Sequence, residues 1–374
     1  IYSLTKPYGR CIDGVDFLDE EKVISSIKDI CQFSDETSRM RIKISEALLA
    51  IPPYGLQVFD TRQVTGVSSE DRKISSGDLV NVFNIIRNSF RKMNGVSLVD
   101  FIPECFITDN DNAYSSLPLG MESSDLAVIA KLHSVPTQLA QQYERVLNDG
   151  GMRCKKTIVS PNGALQLLST YSEVPSDYLL VDVGAFMTTI SLVGHKQLFS
   201  SVYFPWGGDC ITERIRESFN INEADAEKYK IMYGINNRKM NFDAPVCTTK
   251  DYDGTTHEHK SDELNDIIIK ELDLFVEQLN KGITDLLKTY ENSYKTLPIV
   301  LVGGGSRLNG FVDFLKKKMP FNEDVIAVVP KSLGARNATF TNCLGMILAN
   351  AKNPCIYDEN HPRISPIERV SNNK

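Results

Sequence analysis

The chain has 374 residues, 42% hydrophobic and 24% charged, enough to bury more than one core and more than a single average domain needs. Its 48 acidic and 41 basic residues leave a formal net charge of -7, so no global field draws in DNA or an anionic bilayer, and nucleic acid is excluded as a first reading. Eight scattered cysteines without a C-x-x-C pair resemble neither a zinc site nor a disulfide scaffold, and read as reduced thiols of a cytoplasmic protein.

In chain order, a short strand near Ile12 to Val15 precedes a helix over Glu20 to Cys31, where Val23, Ile24, Ile27 and Ile30 recur at helical spacing. A strand follows at Met40 to Ile44, and the pattern breaks from Ile51 to Gly66, with Pro52-Pro53, Gly55 and Gly66 marking a domain boundary. Beyond it, Ser76-Gly77-Asp78 leads into a helix over Leu79 to Arg91, then strands at Leu98 to Pro103, Cys105 to Thr108 and Leu126 to Leu132. A helix at Pro136 to Asn148 ends at Gly150-Gly151.

The α/β rhythm resumes with strands at Lys156 to Val159, Tyr178 to Val183, Thr188 to Val193 and Gln197 to Phe204, and helices at Gly208 to Ser218 and Glu223 to Gly234. Residues 235–259 are polar and read as strands and loops of an insertion, and His257-Glu258-His259 within them as solvated surface rather than an H-E-x-x-H zinc site. A long amphipathic helix over Ser261 to Tyr290 leads to a strand at Ile299 to Val302 and a helix at Leu308 to Met319, whose Lys316-Lys317-Lys318 suits the negative end of the helix dipole. No apolar run approaches the roughly 20 residues of a spanning helix. With Ile1 first and no basic-then-apolar leader, the expectation is of no signal peptide and of residues missing upstream.

Two apolar runs end abruptly in glycine, Tyr178 to Gly184 and Ile299 to Ser306. A backbone without Cβ at the carboxyl end of a buried strand lets N–H groups approach an anion, and a following helix N-terminus adds favourable field. The same glycines also serve simply to turn a chain. Neither run is a Walker loop, since no lysine stands at the required place, and Gly303-Gly304-Gly305 is not G-x-G-x-x-G.

The ordered set Asp182-Val183-Gly184 with Thr188, Gly207-Gly208 with Ile211-Thr212, Ala226-Glu227 with Lys230 and Gly234, and Gly303 to Ser306 with Gly310 resembles the actin-like ATPase superfamily. The phrases Phe204 to Thr212 and Ala226 to Gly234 resemble FtsA within it, with the pilus protein PilM next. The resemblance implies an α/β, ribonuclease H-like, two-lobed fold with an FtsA-type inserted α+β domain. The expected division is 1–66 first-lobe core without its opening strands, 67–150 inserted domain, 151–193 first lobe continued, 194–331 second lobe with a small subdomain near 220–290, and 332–374 return to the first lobe and tail.

By the same resemblance, ATP and Mg²⁺ sit between the lobes. Asp182 holds the metal through water; Gly184 and Ala185 bring backbone N–H groups to the phosphates; Thr188, Gly207 and Gly208 belong to the nucleotide site with them; Glu227 and Lys230 border ribose and adenine; Gly304, Gly305 and Ser306 wall the adenine. Phe186 and Met187 depart from the D-x-G-G-G-T form, and the first phosphate motif, D-x-G-[ST], is missing before Tyr8 to Gly14. Ser160 to Ala164, and Ser332-Leu333-Gly334 continuing to Leu344-Gly345, match the family's hinge helices, and lone Trp206 reads as packing. The implied function is a filament-forming adaptor with slow or negligible hydrolysis that self-associates into protofilaments and binds an FtsZ C-terminal peptide through 220–290. It would meet the inner face of the cell membrane only through a C-terminal helix that this sequence does not encode. A PilM-like pilus-assembly protein and a sugar-kinase-type phosphotransferase are the alternatives.

Overall fold

The computed structural model describes residues 11–13, 15–35, 40–90, 95–235, 245–250, 254–288, 297–319 and 324–352. They belong to two compact units, one made of the described residues within 11–167 and 343–352 and the other of those within 168–342.

The first unit opens with an antiparallel pair, β1 (Ile12–Asp13) and β2 (Asp16–Phe17), and helix α1 (Glu20–Cys31). Asp19 caps α1 by accepting the Lys22 N–H at 2.9 Å, satisfying one of the four donors that a helix start leaves unpaired. A second antiparallel pair follows, β3 (Gln32–Asp35) and β4 (Met40–Lys43), then β5 (Glu46–Ile51). The stretch 51–66, expected to be a break, contains β6 (Gln57–Gly66), a ten-residue strand. Only one of its faces is covered, so Phe59, Thr61, Gln63 and Thr65 alternate without the apolar density that marks a buried strand.

β6 lies at one edge of a sheet with order β6–β9–β7–β8, made with β7 (Val96–Thr108), β8 (Ala113–Tyr114) and β9 (Asp125–Pro136). Helix α2 (Ser76–Phe90) covers it, burying Leu79, Val82, Phe83, Ile86 and Phe90 at helical spacing against Phe101, Phe106, Leu126, Val128 and Leu132. Each of these larger side chains contributes roughly 1.5–3 kcal/mol by leaving water. The two strands expected at 98–103 and 105–108 are one, β7, whose register shifts at Leu98/Asp100 and Pro103/Cys105; Pro103 punctuates the strand without ending it.

Helix α3 (Thr137–Asp149) packs on the N-terminal segment as well as on the end of this sheet: Tyr143 packs on Phe17 at 4.9 Å, Arg145 pairs with Glu20 at 2.8 Å, and Thr137 meets Ser97 of β7 at 3.1 Å. The four-stranded sheet thus begins at β6, before the expected 67, and its last strand, β9, leads directly into α3. β10 (Arg153–Val159) pairs in parallel with β5 and leads into α4 (Ser160–Leu168).

The second unit holds a five-stranded sheet of order β13–β12–β11–β16–β17. β11 (Tyr178–Val183), β12 (Thr188–Gly194) and β13 (Gln197–Phe204) form an antiparallel meander, so the boundary expected between 193 and 194 falls inside one sheet. Then come α5 (Gly208–Phe219), α6 (Glu223–Tyr233), the hairpin β14 (Pro245–Lys250) and β15 (Thr256–Lys260), and α7 (Ser261–Leu287). α7 buries Leu264, Ile268, Leu272, Phe275, Val276 and Leu279, and Gly282 lets it approach Ile190. Far from being solvated, His259 stacks on Phe219 at 4.1 Å and shares hydrogen bonds with Thr249 and Glu263.

β16 (Ile299–Val302) and β17 (Val325–Ala327) add in parallel beyond β11. The helix expected from Leu308 begins three residues later, as α8 (Phe311–Lys318), because Gly310 takes φ 80 at the helix start; a 3-10 turn at Gly305–Arg307 precedes it. At the end of α8, Lys316 pairs with Asp324 and Lys318 with Asp273.

The last described helix, α9 (Thr341–Lys352), returns to the first unit, where Gly345 packs against the Gly163 carbonyl of α4 with no room for a Cβ, as small residues at these positions led one to expect. Residues 1–10, 14, 236–237 and 353–374, with the missing phosphate motif and the tail, lie outside the described residues. Among those described, no helix is long and apolar enough to cross a membrane.

Candidate functional site

β11 and β16 are parallel neighbours in register, Asp182 opposite Val302, so their glycine turns emerge side by side at the carboxyl ends of two buried strands. Ligands bind there in open α/β sheets, because strand-end loops diverge and leave a crevice. A cavity of about 550 Å³ opens here, entirely within the second unit.

Its floor is aromatic and aliphatic: Trp206 packs on Phe275 at 4.5 Å, Phe275 on Phe311 at 5.4 Å, and Trp206, Phe311 and Leu272 reach the cavity. Of the residues singled out in the sequence, Asp182, Gly184, Ala185, Gly208, Glu227, Lys230, Gly304 and Gly305 line it. Thr188, Gly207 and Ser306 do not. Thr188 is fully buried and donates to the Trp206 carbonyl at 2.7 Å; Ser306 is buried and donates to the Gly303 carbonyl at 2.7 Å. Gly207 packs against the Ala185 and Gly184 carbonyls, where a Cβ would collide. These three shape the turns from behind.

The glycines are required by close approach. Gly303, at φ 84, lies against the Asp182 carboxyl and the Val183 carbonyl, and any side chain would strike both. Gly305 sits against the Val183 side chain. The turn after β11 closes with the Gly184 N–H donating to the Met187 carbonyl at 2.9 Å, and it is tied to α5 by the Gly208 N–H on Gly184 O at 3.0 Å and the Asp209 N–H on Ala185 O at 2.9 Å. The first amides of α5 are thus spent on the neighbouring turn, so Gly208 cannot offer its N–H to a phosphate. The Ala185 N–H has no partner within the protein among the described residues and is open to a ligand.

Burial pushes the Asp182 carboxyl up to about 6. A desolvated carboxylate without a countercharge fits a cation brought in by a ligand. Among the described residues no group of three or more His, Cys, Asp and Glu could hold a metal by itself, so a metal here must take its remaining ligands from phosphate and water.

Across the cavity, Glu227 and Lys230 sit one turn apart on α6, joined at 2.6 Å, and both meet Thr212 of α5. The cavity is also lined by residues that the expected site did not include: Asp209, Ile231, Arg307, Leu308 and Thr339. Arg307 and Leu308 could have been found as the direct continuation of the glycine run. Ile231, 67% exposed, gave no signal, since an isolated apolar residue on a helix reads as surface.

Residues 179–345 match the family model described as FtsA: Cell division protein FtsA. The chain is 24% identical over 349 residues to the cell division protein FtsA of Enterococcus faecalis, covering 91% of this chain and 75% of that protein. It is also 24% identical over 342 residues to that of Streptococcus pneumoniae, covering 89% and 71%. Among solved structures, the PilM-PilN type IV pilus biogenesis complex superposes with a TM-score of 0.55 at 17% identity, covering 92% of this chain and 89% of that one.

Proposed function

We propose that this chain, which resembles the FtsA family over residues 179–345 and has the actin-like fold, binds ATP with Mg²⁺ and acts as a filament-forming adaptor linking FtsZ to the membrane in cell division. The observation that carries the nucleotide reading is the pair of glycine turns on adjacent parallel strands, with a desolvated carboxylate between them and an apolar cavity beyond. Asp182 would hold Mg²⁺ through water, and the Ala185 N–H would meet a phosphate oxygen. Glu227 would lie at the ribose, and Gly304, Gly305, Ile231 and Leu308, which line the cavity, would surround the base. The bound metal neutralises phosphate charge. The chain's own part is to orient the nucleotide and keep water from its apolar face.

FtsZ is the proposed partner on family grounds, through residues 220–290, and self-association through the inserted sheet. The PilM-like reading shares the fold, so a partner assay separates the two. Gly304→Trp is the sharper test of the cavity: a Cβ at Gly304 meets only Thr339 Cγ2, at 3.3 Å, whereas bulk at Gly305 would also displace Val183. Calorimetry should show ATP binding lost in Gly304→Trp with the melting temperature unchanged, and an FtsZ C-terminal peptide bound by the parent chain. Unaltered ATP affinity in the variant would sink the nucleotide reading; absence of peptide binding would remove FtsZ as partner.

A further inference from the structure

The bonding of Lys230 differs from the role that the resemblance gives it. An ammonium has three hydrogens. Three protein acceptors surround this one: the Gly208 carbonyl at 3.0 Å, Thr212 Oγ1 at 2.8 Å and Glu227 Oε2 at 2.6 Å. Thr212 completes a ring by donating to Glu227 Oε2 at 2.5 Å. The side chain is only 10% exposed. To reach a nucleotide this nearly buried ammonium would have to give up the carboxylate, hydroxyl and carbonyl that already take its three hydrogens.

The groups it holds lead to the other wall of the cavity. Gly208 and Asp209 donate to the carbonyls of Gly184 and Ala185, so fixing the first turn of α5 fixes the turn after β11. At its far end α6 is pinned as well, the Ile235 N–H donating to the Asn309 carbonyl at 2.8 Å, two residues beyond Arg307. Helix α6 therefore spans the cavity from the loop after β16 to the turn after β11.

We propose that Lys230 is a positioning residue that fastens α6 to the phosphate-facing turns and does not itself contact the nucleotide. The inference rests on the nucleotide reading for its functional consequence, but the clamp exists without ligand. A contact to ribose or base would serve adenosine and ATP alike. A clamp on the phosphate-facing turn serves only ligands that carry phosphate.

The test uses the whole chain as wild type, Lys230→Met, Lys230→Arg and Thr212→Val. Amide hydrogen exchange is followed over 207–212 without ligand, and ATP and adenosine are titrated separately. In Lys230→Met the amides of Gly208 and Asp209 should exchange about tenfold faster or more, ATP affinity should fall about tenfold, and adenosine affinity should stay within about twofold. Arginine should not rescue, because its planar fork cannot present three donors to three surrounding acceptors. Should the methionine variant fail to fold, Thr212→Val removes one acceptor with little change of volume and should move exchange and ATP affinity in the same directions by less. Unchanged exchange, equal losses for ATP and adenosine, or full rescue by arginine each overturn the proposal. A wild type that does not bind ATP overturns the nucleotide reading instead, and the exchange experiment still decides the clamp.

Discussion

Asp78 shows how one buried charge organises a helix start. Its carboxylate is fully buried at the head of α2 and accepts four hydrogen bonds: Ser75 N–H at 2.9 Å, Ser75 Oγ at 2.7 Å, Ser68 N–H at 3.0 Å and Ser68 Oγ at 2.7 Å. Burial works against the charge, yet the bonds from Ser75 and then Ser68 outweigh it and hold the carboxyl below its ordinary 3.8. A folded value below the unfolded one means that this group stabilises above the ordinary carboxylate range, and that the contribution is lost as pH falls below 3.8. Asp78→Asn should cost about 2–3 kcal/mol near neutral pH, measured by urea denaturation, and the gap to wild type should narrow in acid. A gap that held constant to pH 3 would show that charge is not what Asp78 supplies. The sequence did show Ser-Gly-Asp before an apolar run as a helix start, but not that Ser68 would return to the same carboxylate. Residues that work by closing on a distant partner leave no periodic trace. Thr212 was missed as a site residue for the same reason, since its role appears only when α5 and α6 lie together.

At the level of elements, the strands and helices with dense apolar patterns were legible almost to the residue: α1, β11, β13 and β16 carry apolar residues whose spacing can be counted, buried in β11 and β16 and half-buried in α1. β6 was not, because a half-covered edge strand shows few apolar residues, and β7 read as two because Pro103 stands inside it. The bulges in β7 have a partner in β10, which shifts register between Cys154 and Lys156. Asp100 and Lys156 meet there in the interior, Nζ 3.8 Å from Oδ1, with Asn162 donating to the other carboxylate oxygen at 2.8 Å. Desolvation drives Lys156 down to about 8 and Asp100 upward, each opposed by the partner's charge. A buried pair of this kind stabilises little by itself, yet losing one member strands the other. Lys156→Met should therefore cost about 3 kcal/mol, and the double variant Asp100→Leu/Lys156→Met distinctly less. Thermal denaturation of the three proteins checks this, and equal or additive losses in the double variant would show that the two groups are uncoupled.

Across the whole chain, the resemblance fixed the fold class and the order of the motifs, while the domain limits depended on pairings that sequence does not display. β6 hydrogen-bonds to β9 over its full length from Gln57–Ser134 to Gly66–Asp125, and α3 packs on the N-terminal hairpin, so a deletion of 67–150 would strip β6 of its partner and α1 of its support. The chain enters and leaves the inserted sheet at one point: a Cβ on Gly55 would lie 2.8 Å from Pro136 Cγ. Excising 57–135 and joining the ends through a short glycine link, with Lys156→Met so that no buried charge is stranded by the loss of Asp100, should therefore leave a folded chain, since loop closure over so short a gap costs little entropy. The cavity is built wholly from the second unit, so ATP binding should survive the excision with its affinity within about threefold. Self-association, proposed to run through the inserted sheet, should not survive it. Sedimentation velocity and electron microscopy with ATP give the answer: filaments formed by the excised chain would place the subunit contact elsewhere, while loss of ATP binding would mean that the inserted sheet supports the cavity across the chain.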